Sequence, residues 1–166
     1  MKIYTTYHLS PVGKLKIQCS DSHVQAVLFC SEEPELERED HTLLQQCTEQ
    51  LDDYFAGLRK DFNLPLEQDG TAFQQKVWDL LCHIPFGKTM SYNQLAIQYG
   101  DLKAIRAVAS ANGKNKLAII VPCHRVIGSN QSLTGYAGGL WRKKWLLEHE
   151  AKHHAGIEQL GFAFHS

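Results

Sequence analysis

Residues Ser91 to Asn112, SYNQLAIQYGDLKAIRAVASAN, carry two helix starts on either side of a single glycine. Ser91 and Gln94 stand three apart, the spacing of a reciprocal cap in which a hydroxyl accepts from the first turn and an amide reaches back. Leu95, Ala96 and Tyr99 follow at helical spacing, and Gly100 supplies the stop. Asp101 is placed to cap a second helix running from Leu102 to about Asn112. Helix, one-glycine turn, helix is the outline of a helix-turn-helix, although other helical hairpins share it. The stretch Ala104 to Ala111 lacks a set of Asn, Gln and Arg side chains able to read several base edges. Its small side chains would instead let the backbone come close to a groove.

Working outward, Thr71 and Gln74 repeat the capping signature. Phe73, Val77, Leu80 and Leu81 line one face of the helix they begin, and Pro85 ends it. Leu117 to Val121 is an apolar run of buried-strand length, and it delivers the chain to Pro122-Cys123-His124-Arg125-Val126. A final helix is expected over Leu140 to Glu150, with a short tail after about residue 151.

Nearer the N-terminus the period changes from helical to alternating. Ile3 to Leu9 is β-rich, Ser10-Pro11-Val12-Gly13 is a turn, and Leu15, Ile17 and Cys19 share one face. Val24 to Phe29 suits a third strand, and Glu32 to Asp40 a solvated acidic loop. Leu43, Leu44, Cys47, Leu51, Tyr54 and Phe55 return to helical spacing before Gly57, while Phe62 to Leu66 reads as strand or extended linker. The fold class is therefore α+β. A small antiparallel-sheet domain over residues 1–70 precedes a mostly helical domain over 71–166, which holds the helix-turn-helix and Cys123.

The 166 residues are 43% hydrophobic and 21% charged, which suits a soluble globular chain. No apolar run approaches the roughly 18–20 residues needed to span a bilayer. The first residues lack the apolar core of a signal peptide, so the expected location is the cytoplasm, with no membrane partner. Five cysteines at scattered spacings, with no Cys-x-x-Cys pair, suggest neither a disulfide framework nor a zinc ribbon. Cys19, Cys30, Cys47 and Cys82 fall in apolar-periodic segments and read as small core residues. The net charge of −1 hides a split. Residues 1–70 carry six Lys/Arg against thirteen Asp/Glu, and residues 71–150 carry ten against four. A basic second part is suited to a polyanion.

Cys123 stands apart from the other four. A free thiol with a pKa of about 8.5 is only a few per cent thiolate at neutral pH. His124 follows it, and Glu150 lies on a later helix that could fold back. An imidazole can take the thiol proton while a carboxylate on its far nitrogen fixes the tautomer. Taken alone, the Cys-His dipeptide also suits a purely structural pair.

Ile120-Val121-Pro122-Cys123-His124-Arg125-Val126-Ile127 resembles the active-site signature of the O6-alkylguanine-DNA alkyltransferases. Phe86 to Tyr92, Arg106-Ala107-Val108, Asn112 to Asn115, Gly135 to Gly139 and Trp145 to Glu150 resemble further segments of that family, in family order. The resemblance runs almost continuously from Thr71 to Glu150. Before residue 71 it rests on length, strand-rich pattern and Tyr54-Phe55-Ala56-Gly57.

The resemblance implies roles. Cys123 would be the nucleophile and permanent alkyl acceptor, His124 its base through a bound water, and Glu150 the group that orients His124. Asn115 would brace the turn that carries the thiol. Tyr92 would donate a proton or hydrogen bond to the departing guanine. The backbone of Val126 and the loop Tyr136, Ala137 and Gly138 would line the base pocket. Arg106 would enter the duplex where a flipped base had been, with Ala104, Ala107 and Ser110 against the groove. Arg125 would join Lys103, Lys114 and Lys116 on phosphates. The partner would be double-stranded DNA containing O6-alkylguanine, met by a monomer.

No cofactor is implied, because the damaged base is itself the alkyl donor. Some family members bind zinc in the N-terminal domain; no equivalent Cys/His arrangement is found here, so no metal is expected. Ile105 and Ala109 are bulkier than the family's usual Ala and Gly, and Ala137 matches the bacterial form of its motif. The competing reading is a protein that binds alkylated lesions without chemistry, but family relatives of that kind replace the cysteine.

Overall fold

The computed structural model describes residues 2–30, 38–129, 133 and 135–165, with side chains described as far as His154. Most of the expected acidic loop lies outside the described residues. The chain divides into two compact units. One comprises residues up to Thr71 together with Lys114–Val121, and the other Ala72–Gly113 with the chain from Pro122 onward.

The first unit is built on an antiparallel sheet of β1 (Tyr4–Ser10), β2 (Gly13–Cys19) and β3 (Val24–Cys30), in that order. The alternation of β2 sends Leu15, Ile17 and Cys19 inward, all fully buried. Helix α1 (Thr42–Phe55) lays Leu44, Cys47, Leu51 and Tyr54 against the same core. Cys30 is half-buried and Cys82 exposed, so only Cys19 and Cys47 of the four fill the core as expected. Cys82 lies just past the last residue of its helix, off the periodic face.

Two extended segments continue the hydrogen bonding of β3. Val24 N–H donates to the Pro65 carbonyl (2.8 Å) and Glu67 N–H to that of Val24 (3.0 Å). Further along, Val27 N–H donates to Lys116 O (2.9 Å) and Ala118 N–H to Val27 O (3.1 Å). Backbone groups that would otherwise lie open at a sheet edge are thereby paired.

The expected strand over Leu117 to Val121 does not form. Leu117 alone bridges to Val27, and the chain then turns, with Val121 N–H donating to Leu117 O (2.9 Å). The cause is Asn115. Its Oδ1 accepts from Leu117 N–H (3.1 Å) and its Nδ2 donates to Val121 O (2.9 Å), so a side chain replaces a partner strand. Ile119 sits at the centre with φ of 72°, where a β-branched residue is strained. An apolar run shows that a segment is buried, not whether it is straight.

The second unit gathers α2 (Ala72–Leu81), α3 (Tyr92–Tyr99), α4 (Ile105–Gly113) and α5 (Leu140–His165). Trp78 of α2 donates its indole N–H to Ala111 O of α4 (2.9 Å). The reciprocal cap of α3 is complete, with Gln94 N–H to Ser91 Oγ (3.0 Å) and Ser91 N–H to Gln94 Oε1 (2.9 Å). Gly100 ends α3 at φ 111°, a left-handed conformation that favours glycine, and its N–H closes on Ala96 and Ile97 carbonyls. Asp101 caps the next segment through Lys103 N–H (2.9 Å). That segment opens as one tight turn over Leu102–Ala104 before α4 begins.

A two-residue parallel pairing joins β4 (Met90–Ser91) to β5 (Val126–Ile127), tying the start of α3 to the chain just after Cys123. Helix α5 passes the expected end at Glu150 and continues to His165. Lys143, Leu146 and Glu150, three and four apart, form one buried face of it.

The Ser91 cap gives a direct test. Ser91→Ala is expected to lower stability by about 1 kcal/mol, since it removes one half of the reciprocal pair. Urea unfolding should show a lower midpoint with an unchanged slope; an unchanged midpoint would mean the cap is energetically silent.

Candidate active site

Cys123, His124 and Arg125 form one tight turn, and all three are buried. The Asn112 side chain of α4 lies 3.4 Å from the Cys123 carbonyl and donates to it. Ahead of the turn, Asn115 holds the carbonyl of Val121, two residues before the thiol in the chain.

Glu150 of α5 anchors the turn from the other side. His124 Nε2 lies 2.6 Å from Glu150 Oε2, with the imidazole fully buried. Arg125 donates from Nε to Oε1 (2.7 Å) and from a terminal nitrogen to Oε2 (3.2 Å) of the same carboxylate. Its other terminal nitrogen donates to Ile84 O (2.7 Å). Gly87 N–H completes the shell at 3.3 Å from Oε1. Gly87 has a φ of 80°, and an added Cβ would come within 2.5 Å of His154 Cβ. Glycine is required here for its conformation and for the space.

These contacts decide which groups carry charge. Burial by itself would raise the Glu150 carboxyl, but His124 and the Arg125 guanidinium outweigh it and hold the carboxyl well below its usual range. An ionised carboxylate only accepts, so His124 must donate from Nε2. Burial lowers the His124 pKa, Glu150 opposes, and the charges of Arg125 and Lys143 add to the lowering. The ring is therefore neutral at neutral pH, with Nδ1 unprotonated. That nitrogen is buried and bonded to no protein group among the described residues. A neutral imidazole with a bare, shielded nitrogen beside a cysteine is a base poised to take a proton.

The other residues named from the sequence fall into three groups. Half-buried Tyr92 begins α3, and its ring centroid lies 5.9 Å from Lys143 Nζ. Val126 is fully buried in β5. Tyr136, Ala137 and Gly138 form a turn closed by Gly139 N–H to Tyr136 O (2.9 Å). Burial raises the Tyr136 hydroxyl pKa well above the ordinary value, as does the charge of Cys123, so it remains a donor.

On α4, Arg106, Ala107 and Ser110 are exposed and Ala104 is half-buried in the turn before it. Arg106 makes no hydrogen bond or ion pair among the described residues, and Lys103, Lys114 and Lys116 are exposed too.

Arg125 departs from its expected place among the phosphate contacts. It is 5% exposed and committed to Glu150 and Ile84, so its charge is consumed inside the fold. Sequence reasoning also passed over Lys143, which is fully buried. Its spacing of seven from Glu150 puts both on one helix face, a signal that pointed to it. Burial lowers the Lys143 pKa to about 8, against the charge of Cys123, which raises it.

Comparison with known proteins accounts for nearly the whole chain. Residues 72–152 match the family described as "6-O-methylguanine DNA methyltransferase, DNA binding domain". Residues 2–68 match its companion, "6-O-methylguanine DNA methyltransferase, ribonuclease-like domain". The constitutive methylated-DNA–protein-cysteine methyltransferase of Bacillus subtilis is 46% identical over 147 residues, covering 83% of this chain and 88% of that one. The crystal structure of Mycobacterium tuberculosis O6-methylguanine methyltransferase superposes with a TM-score of 0.83 at 40% identity, covering 92% of this chain and 94% of that one. The M. tuberculosis OGT structure in complex with DNA gives 0.81 at 41% identity, covering 91% and 93%.

The buried ion pair can be tested by removing one partner. Arg125→Met should cost about 3–5 kcal/mol at neutral pH, because Glu150 is left charged and uncompensated. The loss is pH-dependent with a definite sign. A depressed folded-state carboxyl contributes stability above its unfolded pKa of about 4.3 and loses it as pH falls. The deficit of the variant should therefore shrink in acid. Urea unfolding between about pH 3 and 8 measures it; a constant deficit would reduce Arg125 to packing alone.

Proposed function

This chain belongs to the 6-O-methylguanine DNA methyltransferase family, and from that premise we propose that it repairs DNA by moving the alkyl group of O6-alkylguanine onto Cys123. The observation that carries the reading is the buried His124–Glu150–Arg125 cluster beside the thiol. It gives the nucleophile a neutral base whose tautomer is held by a carboxylate.

The reaction balances without a cofactor. The Cys123 thiol gives its proton to Nδ1 of His124 through a bound water, since no protein group among the described residues bonds to that nitrogen. The thiolate attacks the alkyl carbon, a C–S bond forms, and the C–O bond breaks with its electron pair going to guanine O6. Tyr92 donates to the departing base. The imidazolium is stabilised by Glu150, and the base leaves as unmodified guanine once protonated. A thioether has no return path here, so each molecule acts once.

A stacked base keeps its O6-alkyl carbon out of reach of a buried thiol, so the nucleotide must be extruded. Extrusion costs a few kcal/mol. Arg106, exposed on α4, fills the vacancy, while Ala104, Ala107 and Ser110 permit close groove contact. The turn Tyr136–Gly138 and the backbone of Val126 receive the base, and Lys103, Lys114 and Lys116 contact phosphates. Asn115 braces the approach to Cys123 through Val121. No helix among the described residues is long and apolar enough to cross a membrane; we take the protein to act as a monomer in the cytoplasm.

Incubation with an O6-methylguanine duplex, followed by peptide mass mapping, tests the acceptor. Cys123 should gain one methyl group and the other four cysteines none. Cys123→Ala should bind the duplex normally and remove nothing; continued removal of the methyl group would contradict the assignment. Arg106→Ala separates extrusion from chemistry. Repair of duplex should slow at least about tenfold, the equivalent of about 1.4 kcal/mol. Reaction with free O6-benzylguanine, which needs no extrusion, should be little changed. Equal losses on both substrates would exclude the finger role.

A further inference from the structure

Asn112 is a buried polar side chain to which the transfer step above gives no part. It lies in the last turn of α4, 4% exposed, and its buried neighbours on that helix, Val108 and Ala111, are apolar. Such a position suits an aliphatic side chain, and asparagine is a poorer helix former than leucine. A buried amide that lacks its full set of partners also lowers stability. Packing does not account for asparagine here.

Its contacts supply another reason. Asn112 Nδ2 donates to the Cys123 carbonyl across 3.4 Å, a long hydrogen bond from α4 to the turn that bears the thiol. A carbonyl only accepts, so the NH2 group faces Cys123 and Oδ1 is turned away. Oδ1 is buried and bonded to no protein group among the described residues, so the side chain is oriented by its donor. The backbone that carries it is anchored next door, where the Ala111 carbonyl accepts from the indole N–H of Trp78 on α2 (2.9 Å). The Cys123 carbonyl also accepts from Val126 N–H, the bond that closes its own turn.

We propose that Asn112 is a positioning residue for alkyl transfer: its amide fixes the Cys123 peptide, and through it the direction of the thiol. The inference rests on Cys123 as acceptor and adds a residue to its site. The Val126 bond alone lets the carbonyl rock about the axis of the turn. A second donor, arriving from a different element, holds the peptide plane against that motion. The plane and the Cys123 Cα move together, so a rocking carbonyl swings Sγ. Displacement needs sulfur, alkyl carbon and guanine O6 in line, and a small swing therefore costs rate.

Positioning and packing make opposite predictions for Asn112→Leu, which keeps the branched shape and removes the amide. The Cys123 carbonyl keeps its Val126 partner, so no buried group loses its last hydrogen bond. The melting temperature should hold or rise, while single-turnover transfer slows at least about tenfold. Asn112→Ala also removes the donor but leaves a small cavity, so its melting temperature should fall. Transfer per folded molecule should slow in both variants, on duplex and on free O6-benzylguanine alike, with affinity for unmodified duplex unchanged. Normal transfer in Asn112→Leu, or a loss confined to Asn112→Ala, makes Asn112 a packing residue and overturns the proposal. A loss confined to duplex assigns it to DNA docking and overturns the proposal too.

A second measurement reads the contact without an alkyl donor. In full-length protein labelled with 13C at its cysteine carbonyls, the Cys123 signal is identified by its loss in Cys123→Ser. It should move in both Asn112 variants toward the position of a less hydrogen-bonded carbonyl, while the signals of the other four cysteines hold. An unmoved Cys123 signal overturns the proposal. This readout needs no transfer, so failure here is distinguishable from failure of Cys123 to accept a methyl group.

Discussion

The second unit depends on one carboxylate. Glu150 is 1% exposed and carries a charge that would be prohibitively costly to bury alone. Arg125, His124 and the Gly87 amide enclose it from the turn after Pro122 and from the loop after Ile84. Arg125 also grips the Ile84 carbonyl, so one side chain links α5, the cysteine turn and the loop following α2. Geometry and protonation are coupled as a result. The guanidinium keeps the carboxylate ionised, the carboxylate fixes the tautomer of His124, and the tautomer leaves a bare nitrogen for a proton.

Such a cluster is poor value as simple stabilisation, since apolar side chains of equal volume often serve as well. Its worth lies in what it prepares. A hydrophobic replacement would hold the turn but remove the neutral imidazole that the proposed transfer uses as its base. The fold spends backbone strain here as well: Ile119 is left-handed in the buried turn that leads toward Pro122 and Cys123.

The first unit takes back part of the chain that follows α4. Residues 116–118 pair with Val27 of β3, and Asn115 closes the next turn through both its oxygen and its nitrogen. Gln68 secures this arrangement, donating to Asn115 Oδ1 (2.8 Å) and accepting from Lys116 N–H (3.0 Å). Within this unit, the sheet and Gln68 together fix the course of the chain from Asn115 to Val121.

Features governed by local chemistry were legible without a structure. Ser91 with Gln94, Gly100 and Asp101 mark their helix ends because each acts on backbone groups within four residues. The alternation of Leu15, Ile17 and Cys19 announced β2, and the run around Cys123, with its ordered companions, announced the family. What stayed hidden depended on partners distant in sequence. A run such as Leu117 to Val121 has the same composition whether straight or turned, and Asn115 chose the turn. Arg125 reads as a phosphate contact until Glu150, twenty-five residues on, is seen to consume its charge. Lys143 reads as one more surface cation until α5 turns it inward. The sequence alone determined the two ends of α3, the cap at Asp101 and the inward face of β2, because those are set by neighbouring residues. The tertiary structure decided which charges do chemistry, because an ionisable group takes its properties from the solvent it loses and the partners it gains on burial.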